Sequence, residues 1–251
     1  MKPGPKNGYK QSPEHIEKRN TNENKDKPWP PAGIDWYYSD GSTAIALGDC
    51  RLILPHLEPV DLVLTDPPYG IGIASKNLGQ GRSTGIESTK MIYGDWDRER
   101  AGTAIFRLIE EKAKHAIIWG GNYYADVLPA SQCWLVWDKR DGLPQRSYAD
   151  CELAWTSFDK ATRLMASRWD GFIREGGEAR NGHPTQKPLE LIKWAIEQAP
   201  PECMTILDPF MGSGTTLRAA KDLGRKCIGI EIEERYCEIA AKRLAQEVLN
   251  L

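Results

Sequence analysis

The tetrapeptide Asp-Pro-Pro-Tyr at residues 66–69 has residue types suited to chemistry on an amino nitrogen. It follows residues 60–65, an apolar run with the length and β-branched content of a buried parallel strand. Asp66 is therefore predicted at the carboxyl end of a strand, where open α/β sheets bind ligands.

The two prolines, Pro67 and Pro68, stiffen the loop and leave the Asp66 carboxylate and the Pro67 carbonyl as paired hydrogen-bond acceptors. An exocyclic NH₂ group that donates to both acceptors is favoured in a pyramidal form, which can attack a methyl group. Tyr69 offers a ring face on which an extruded base can stack. Taken alone, the tetrapeptide is equally compatible with a rigid turn after a strand.

A second motif, Asp-Pro-Phe-Met-Gly-Ser-Gly-Thr-Thr at residues 208–216, predicts a glycine-rich turn between a strand and a helix. The next predicted strand, 226–231, ends in Glu231. A glycine-rich turn followed about 20 residues later by an acid is typical of a site for a nucleotide whose ribose hydroxyls bind a carboxylate. Neither Gly-Lys-Ser nor Gly-Lys-Thr occurs, which argues against a phosphate-binding P-loop.

Two further blocks complete a pattern: Ala-Leu-Gly-Asp-Cys at 46–50 and His-Pro-Thr-Gln-Lys-Pro at 183–188. The four blocks together resemble the amino-group DNA methyltransferases that use S-adenosylmethionine. Their order, with the catalytic motif before the cofactor motif, is similar to the β subgroup of that family. The resemblance covers residues 35–251, and four blocks in this order are far more specific than any one of them.

The resemblance implies an α/β, Rossmann-like class I methyltransferase fold, with a seven-stranded, mostly parallel sheet and helices on both faces. It implies catalytic roles for the tetrapeptide and a set of cofactor contacts running from the adenine end to the methionine end. The implied catalytic residues are Asp66, Pro67, Pro68 and Tyr69. The implied cofactor-binding residues are Asp49, Asp66, His183, Thr185, Lys187, Asp208, Phe210, Gly212, Ser213, Gly214, Thr215 and Glu231.

The expected reaction is methyl transfer to the exocyclic amine of a flipped base at a specific DNA site. Adenine N6 is preferred over cytosine N4 because Asp66 opens the tetrapeptide, whereas cytosine-N4 relatives more often have Ser there. No Pro-Cys dipeptide occurs, which argues against cytosine-C5 methylation through a thiolate.

Two alternatives stay open. The first is a methyltransferase for RNA bases or a protein glutamine amide, and the second is a catalytically silent DNA-binding protein on the same scaffold. Motif order argues against the first alternative, and the intact acceptors argue against the second.

Hydrophobic patterning divides the chain into a flexible polar arm at 1–33 and a methyltransferase domain at 34–251. Two polar stretches within the domain, 71–100 and 138–182, are the predicted target-recognition loops. Strands are predicted at 44–48, 60–65, 116–119, 133–137, 151–157, 204–208 and 226–231. Helices are predicted at 50–58, 101–114, 121–128, 188–199, 215–223 and 233–248.

Composition fits these expectations. The net charge of −2 is low for a protein that binds double-stranded DNA, but residues 1–27 and 160–193 each hold seven Lys/Arg against four acids. Six scattered cysteines and four dispersed histidines give no metal-site pattern. We expect reduced thiols, no membrane segment, a cytoplasmic location and, from the habits of the family, a homodimer.

Overall fold

The computed structural model describes residues 28–71, 99–140, 142, 149–168 and 186–246. Most of the predicted N-terminal arm and most of both predicted recognition loops lie outside these residues. His183 and Thr185, two predicted cofactor contacts, also lie outside them.

Nine strands form one mixed sheet in the described part of the chain. They are β1 (Tyr38–Ser39), β2 (Thr43–Leu47), β3 (Val60–Thr65), β4 (Ala113–Trp119), β5 (Trp134–Asp138), β6 (Cys151–Thr156), β7 (Arg163–Ala166), β8 (Thr205–Asp208) and β9 (Lys226–Glu231). All seven predicted strands are present, and β1 and β7 extend the sheet beyond seven. The two-residue β1 is too short to give a periodic pattern, and the mostly exposed β7 lies within a stretch predicted as a recognition loop.

The sheet order is β1-β2-β9-β8-β3-β4-β6-β5-β7. Strands β2, β9, β8, β3 and β4 are parallel to their neighbours in this series, while β6 runs antiparallel to both β4 and β5. The central strand β3 is buried along nearly its whole length, which explains its continuous apolar sequence. The mostly parallel sheet is confirmed, and it brings the carboxyl ends of five strands to one edge.

Helices cover both faces of the sheet, as expected for this fold class. They are α1 (Cys50–Ile53), α2 (Thr103–Lys112), α3 (Leu189–Glu197), α4 (Thr215–Asp222) and α5 (Glu234–Leu244). One core cluster joins the sheet to α3, α4 and α5, and a second joins the opposite face to α2 and the 3₁₀ turn Leu54–His56.

The helix predicted at 121–128 is only a 3₁₀ turn, Gly121–Tyr124. Two adjacent glycines open this segment, and glycine disfavours a regular helix because it leaves the backbone unconstrained. None of the described helices is long and apolar enough to cross a lipid bilayer.

Candidate active site

The predicted site residues lie along one edge of the sheet because the strands that precede them are parallel neighbours. In the order β2, β9, β8 and β3, the carboxyl ends lead to Asp49, Glu231, the 208–216 turn and Asp66. Neighbouring strands are about 4.8 Å apart, so three steps across the sheet span about 14 Å. Residues far apart in sequence therefore form one row along the sheet edge, about as long as a nucleoside joined to an amino acid.

The Asp66 carboxylate of the catalytic tetrapeptide accepts hydrogen bonds from two side chains. One carboxylate oxygen accepts a hydrogen bond from the Tyr69 hydroxyl, and the other accepts one from the Lys187 ammonium. Sequence reasoning treated the carboxylate as an acceptor for a substrate amine, and the structure adds two donors from the chain itself. A substrate amine must therefore share this carboxylate or displace one of these donors.

The two proline carbonyls of the tetrapeptide differ in their surroundings. The Pro68 carbonyl accepts from the Tyr124 hydroxyl and from the Ala101 backbone N–H at 3.1 Å, which ties the loop to the neighbouring segments. The Pro67 carbonyl receives no hydrogen bond from the part of the chain that the structure describes. It is thus available as the second acceptor that the sequence predicts.

Lys187 is part of a row of alternating charges. Its side chain is only 8% exposed, and its ammonium contacts Asp66 on one side and Glu152 on the other, at 3.4 Å. The second Glu152 oxygen accepts from Lys139 at 3.1 Å. Burial disfavours the ammonium, but the carboxylates of Asp66 and Glu152 outweigh that effect and raise the pKa of Lys187.

The Trp119 ring lies 5.3 Å from the Lys187 ammonium and gives it a further favourable contact. Burial also opposes ionisation of Glu152, yet Lys187 and Lys139 lower the pKa of this carboxyl overall. The lowered pKa of Glu152 and the raised pKa of Lys187 both favour the ionised forms of this central pair at neutral pH.

Tyr69 is held by ring contacts. The Tyr123 ring stacks on it with centroids 4.7 Å apart and planes 15° from parallel. Gly120, which has a positive φ of 66°, passes so close that a Cβ there would lie 2.1 Å from the Tyr69 ring. Burial, followed by the nearby Asp66 charge, raises the pKa of Tyr69 well above its usual value, so the hydroxyl stays protonated.

The predicted cofactor turn is joined to the acid at the end of β9. The Gly212 and Glu233 backbone N–H groups donate to the Glu231 carboxylate at 3.0 and 2.9 Å. Gly214 precedes α4 with φ of 78°, and a Cβ there would lie 2.7 Å from the Cβ of Ala240 in α5. Glycine at 214 is thus required by helix packing, a reason separate from the cofactor contact that the sequence resemblance implies for it.

Asp208, another predicted cofactor contact, is only 3% exposed. Its carboxylate accepts from the Thr65 hydroxyl at 2.8 Å and from the Phe210 backbone N–H at 3.1 Å. Burial raises the pKa of Asp208 to about 6. These contacts join the catalytic strand β3 to the cofactor turn. Ser213 and Thr215 of the same turn are also buried.

Asp49 begins α1, where its carboxylate accepts from the Arg51 backbone N–H at 2.9 Å. The preceding Gly48 N–H donates to the Glu231 carbonyl at 2.8 Å, so the two acids lie at adjacent strand ends. A cavity of about 280 Å³ lies near β2 and α1 and is lined by Gly33, Ile34, Asp35, Ala46, Leu47, Leu52, Ile53 and His56. Neither Asp49 nor Glu231 is among its lining residues.

Sequence reasoning missed Glu152, Trp119, Gly120, Tyr123 and Tyr124. The available signals were an acid inside the otherwise apolar run 151–156 and a Trp-Gly-Gly sequence at the end of a predicted strand.

Five of the six cysteines are buried. Burial raises the pKa of Cys50 to about 12, so this thiol is not a nucleophile at neutral pH.

Comparison with known proteins agrees with this geometry. Residues 130–242 match the DNA methylase family. Type II methyltransferase M.HinfI of Haemophilus influenzae is 45% identical to this chain, over 83% of the chain and 70% of the relative. The chain belongs to the DNA methylase family.

Other members of the DNA methylase family match over most of their length. Type II methyltransferase M2.DpnII of Streptococcus pneumoniae is 28% identical over 84% of this chain and 92% of the relative. The crystal structure of the M1.HpyAVI-SAM complex matches with a TM-score of 0.51 and 25% identity, covering 81% of this chain and all of that one. The cytosine-N4-specific PvuII DNA methyltransferase shares the fold, with a TM-score of 0.57 at 17% identity over 87% of this chain and 91% of that one.

Membership of the DNA methylase family establishes the general activity. The protein is a site-specific DNA methyltransferase that acts on an exocyclic amino group, with S-adenosylmethionine as its cofactor. The half-buried carboxylate at the end of β9, beside a glycine-rich turn, suits that cofactor because the ribose hydroxyls can donate hydrogen bonds to it.

Proposed function

We propose that this DNA methyltransferase transfers the methyl group to N6 of an adenine flipped out of double-stranded DNA. The observation that carries the proposal is the placement of Asp66 and of the Pro67 carbonyl, which has no partner among the described residues, at the end of β3, directly beside the cofactor turn that follows β8. The cofactor, when bound, supplies a methyl group already activated by its sulfonium. The remaining task of the protein is to position the amine in line with that group.

In this proposal, the Asp66 carboxylate and the Pro67 carbonyl accept the two N–H groups of the target amine. The Tyr69 ring provides the stacking surface, and the stack with Tyr123 extends it. The Tyr69 hydroxyl and Lys187 occupy Asp66 until the amine arrives, which keeps the carboxylate in place. The proton released by the amine passes to solvent after the transfer.

The cofactor contacts are proposed along the same edge of the sheet. Asp49 lies toward the adenine end, Glu231 binds the ribose hydroxyls, and Lys187 with His183 and Thr185 lies toward the methionine end. Phe210, Gly212, Ser213, Gly214 and Thr215 shape the turn between them. For Asp208, the internal contacts described above support a role in holding this turn against β3.

Adenine is preferred because the tetrapeptide begins with Asp66.

We also propose that residues 71–100 and 138–182 recognise the target sequence, and that the basic stretches 1–27 and 160–193 contact DNA phosphates. The enzyme is further proposed to be a cytoplasmic homodimer. The names of the type II relatives support a partnership with a restriction endonuclease.

Nucleoside mass spectrometry after incubation of DNA with the protein and isotope-labelled S-adenosylmethionine tests the base assignment. Labelled N6-methyladenine is the expected product. N4-methylcytosine as the sole product would refute the adenine assignment while leaving amino-group transfer intact.

A further inference from the structure

The row of alternating charges contains two acids, Asp66 and Glu152. Of these, Glu152 lies outside all four sequence motifs. It lies on β6, which pairs with β4, and its carboxylate contacts Lys139 at 3.1 Å and Lys187 at 3.4 Å. Lys187 in turn donates to Asp66. Among the residues that the structure describes, Lys187 therefore links Glu152 to the catalytic carboxylate.

The consequence for Asp66 follows from the sharing of one ammonium between two carboxylates. A carboxylate in a tight ion pair is a weaker acceptor for a neutral N–H group, because the partner's positive charge offsets its own. Glu152 attracts the same ammonium, from which its carboxylate lies 3.4 Å away. It therefore limits how strongly Lys187 pairs with Asp66.

We propose that Glu152 is a positioning residue for methyl transfer, which holds Lys187 between two carboxylates and so keeps Asp66 able to accept the target amine. This inference rests on the proposed role of Asp66. It assigns to β6 a part in catalysis although β6 carries none of the four motifs.

The first test is Glu152→Gln, which keeps the shape of the side chain and removes its charge. Lys187 then pairs with Asp66 alone, and kcat at saturating cofactor and DNA is expected to fall about tenfold, the change that corresponds to about 1.4 kcal/mol in the barrier. The dissociation constant for S-adenosylmethionine, measured by calorimetry, should change less than about threefold. Glu190→Gln, at an exposed ion pair with Lys193, is the matched control and should leave both values unchanged.

A double-mutant cycle with Lys187→Met separates positioning from general damage. In the Lys187→Met background no lysine ammonium is left for Asp66 and Glu152 to share, so Glu152→Gln should cause no further loss of kcat. Additive losses would overturn the proposal, as would an unchanged kcat in folded Glu152→Gln or a loss confined to cofactor binding. If Glu152→Gln fails to fold, Glu152→Asp takes its place in the cycle, with the same coupling expected.

A second test measures folding stability and does not depend on enzymatic activity. Glu152 faces Lys139, Lys187 and, more distantly, Asp66 and Tyr69. Its lowered pKa means that its charge stabilises the fold at neutral pH and ceases to do so as acid protonates it. The stability of the wild type minus that of Glu152→Gln should therefore change little between pH 7 and about pH 5, and should shrink as the pH falls below 4.5, the ordinary pKa of a glutamate. A constant difference would contradict the ionic role, whereas an inactive wild type would count against the proposed function instead.

Discussion

At the residue scale, Asp66 meets two requirements at once. It must accept a hydrogen bond from a substrate amine, and before the substrate arrives it must not be left as a partly buried charge without partners. The Tyr69 hydroxyl and the Lys187 ammonium meet the second requirement. Both are side-chain groups that can yield, whereas backbone donors would bind the carboxylate permanently.

The paired substitutions Tyr69→Phe and Tyr69→Ala distinguish the hydroxyl from the ring. Phenylalanine keeps the ring and removes one donor to Asp66, so transfer should stay within about threefold of the wild type. Alanine removes the stacking surface, worth on the order of 1–3 kcal/mol per base, and should cost about ten- to a hundredfold in kcat/KM. Steady-state kinetics on a DNA duplex measures both, and equal losses in the two variants would disprove the stacking role.

Asp208 gives a prediction for pH dependence. Its pKa is raised by burial from its ordinary value near 3.8 to about 6, so the folded state holds a proton between these values that the unfolded state releases. The Asp208 contribution to stability is therefore greatest below about pH 4 and falls as pH rises toward 6.

Asp208→Asn removes this titration and retains an oxygen for the Thr65 hydroxyl. Relative to the wild type, the variant should gain up to about 3 kcal/mol of stability between pH 4 and pH 7. Denaturant unfolding at both pH values measures this difference. A gain of stability at pH 4 instead would contradict the raised pKa.

At the element scale, the turn after β4 determines where the Tyr69 ring can lie. Gly120 combines a positive φ with an approach to the ring that leaves no space for a Cβ. Gly41, far from the site, has φ of 83° with nothing within 4 Å of the position of a Cβ, so it shares the backbone conformation without the contact.

Gly120→Ala and Gly41→Ala therefore form a matched pair. Both should lose roughly 1 kcal/mol of stability from the left-handed backbone. Gly120→Ala should lose methyl transfer in addition, because the methyl group displaces Tyr69, while cofactor binding is retained. Thermal unfolding and single-turnover transfer measure the two effects, and full activity in Gly120→Ala would refute this account of the turn.

Sequence patterns predicted the elements around Asp66 and Glu231 well because buried parallel strands have continuous apolar sequences and end at polar residues. They failed where structure depends on tertiary contact. The ion pair of Lys187 with Asp66 joins residues 121 positions apart, and no local pattern indicates it. The same holds for Glu152, whose neighbours in sequence are ordinary strand residues.

At the scale of the whole molecule, the sheet topology explains the motif order. β8 pairs directly with β3, although the two strands are more than a hundred residues apart in sequence. The cofactor turn and the catalytic loop therefore meet at one edge, and the Asp208–Thr65 hydrogen bond joins them. An interval of that length between the motifs leaves room for the proposed recognition loops without disturbing the site.

The central claim is that Asp66 acts chiefly by orienting the target amine, and that the cofactor contact which the sequence resemblance also implies for it adds little to the affinity for the cofactor or the DNA. Single-turnover methyl transfer by Asp66→Ala, with cofactor and duplex binding measured on the same preparation, tests it most directly. We expect transfer to fall by at least about a thousandfold, which corresponds to about 4 kcal/mol of transition-state stabilisation, while both dissociation constants stay within about threefold of the wild type. Wild-type transfer rates in Asp66→Ala, or a loss explained entirely by weaker binding, would contradict the mechanism.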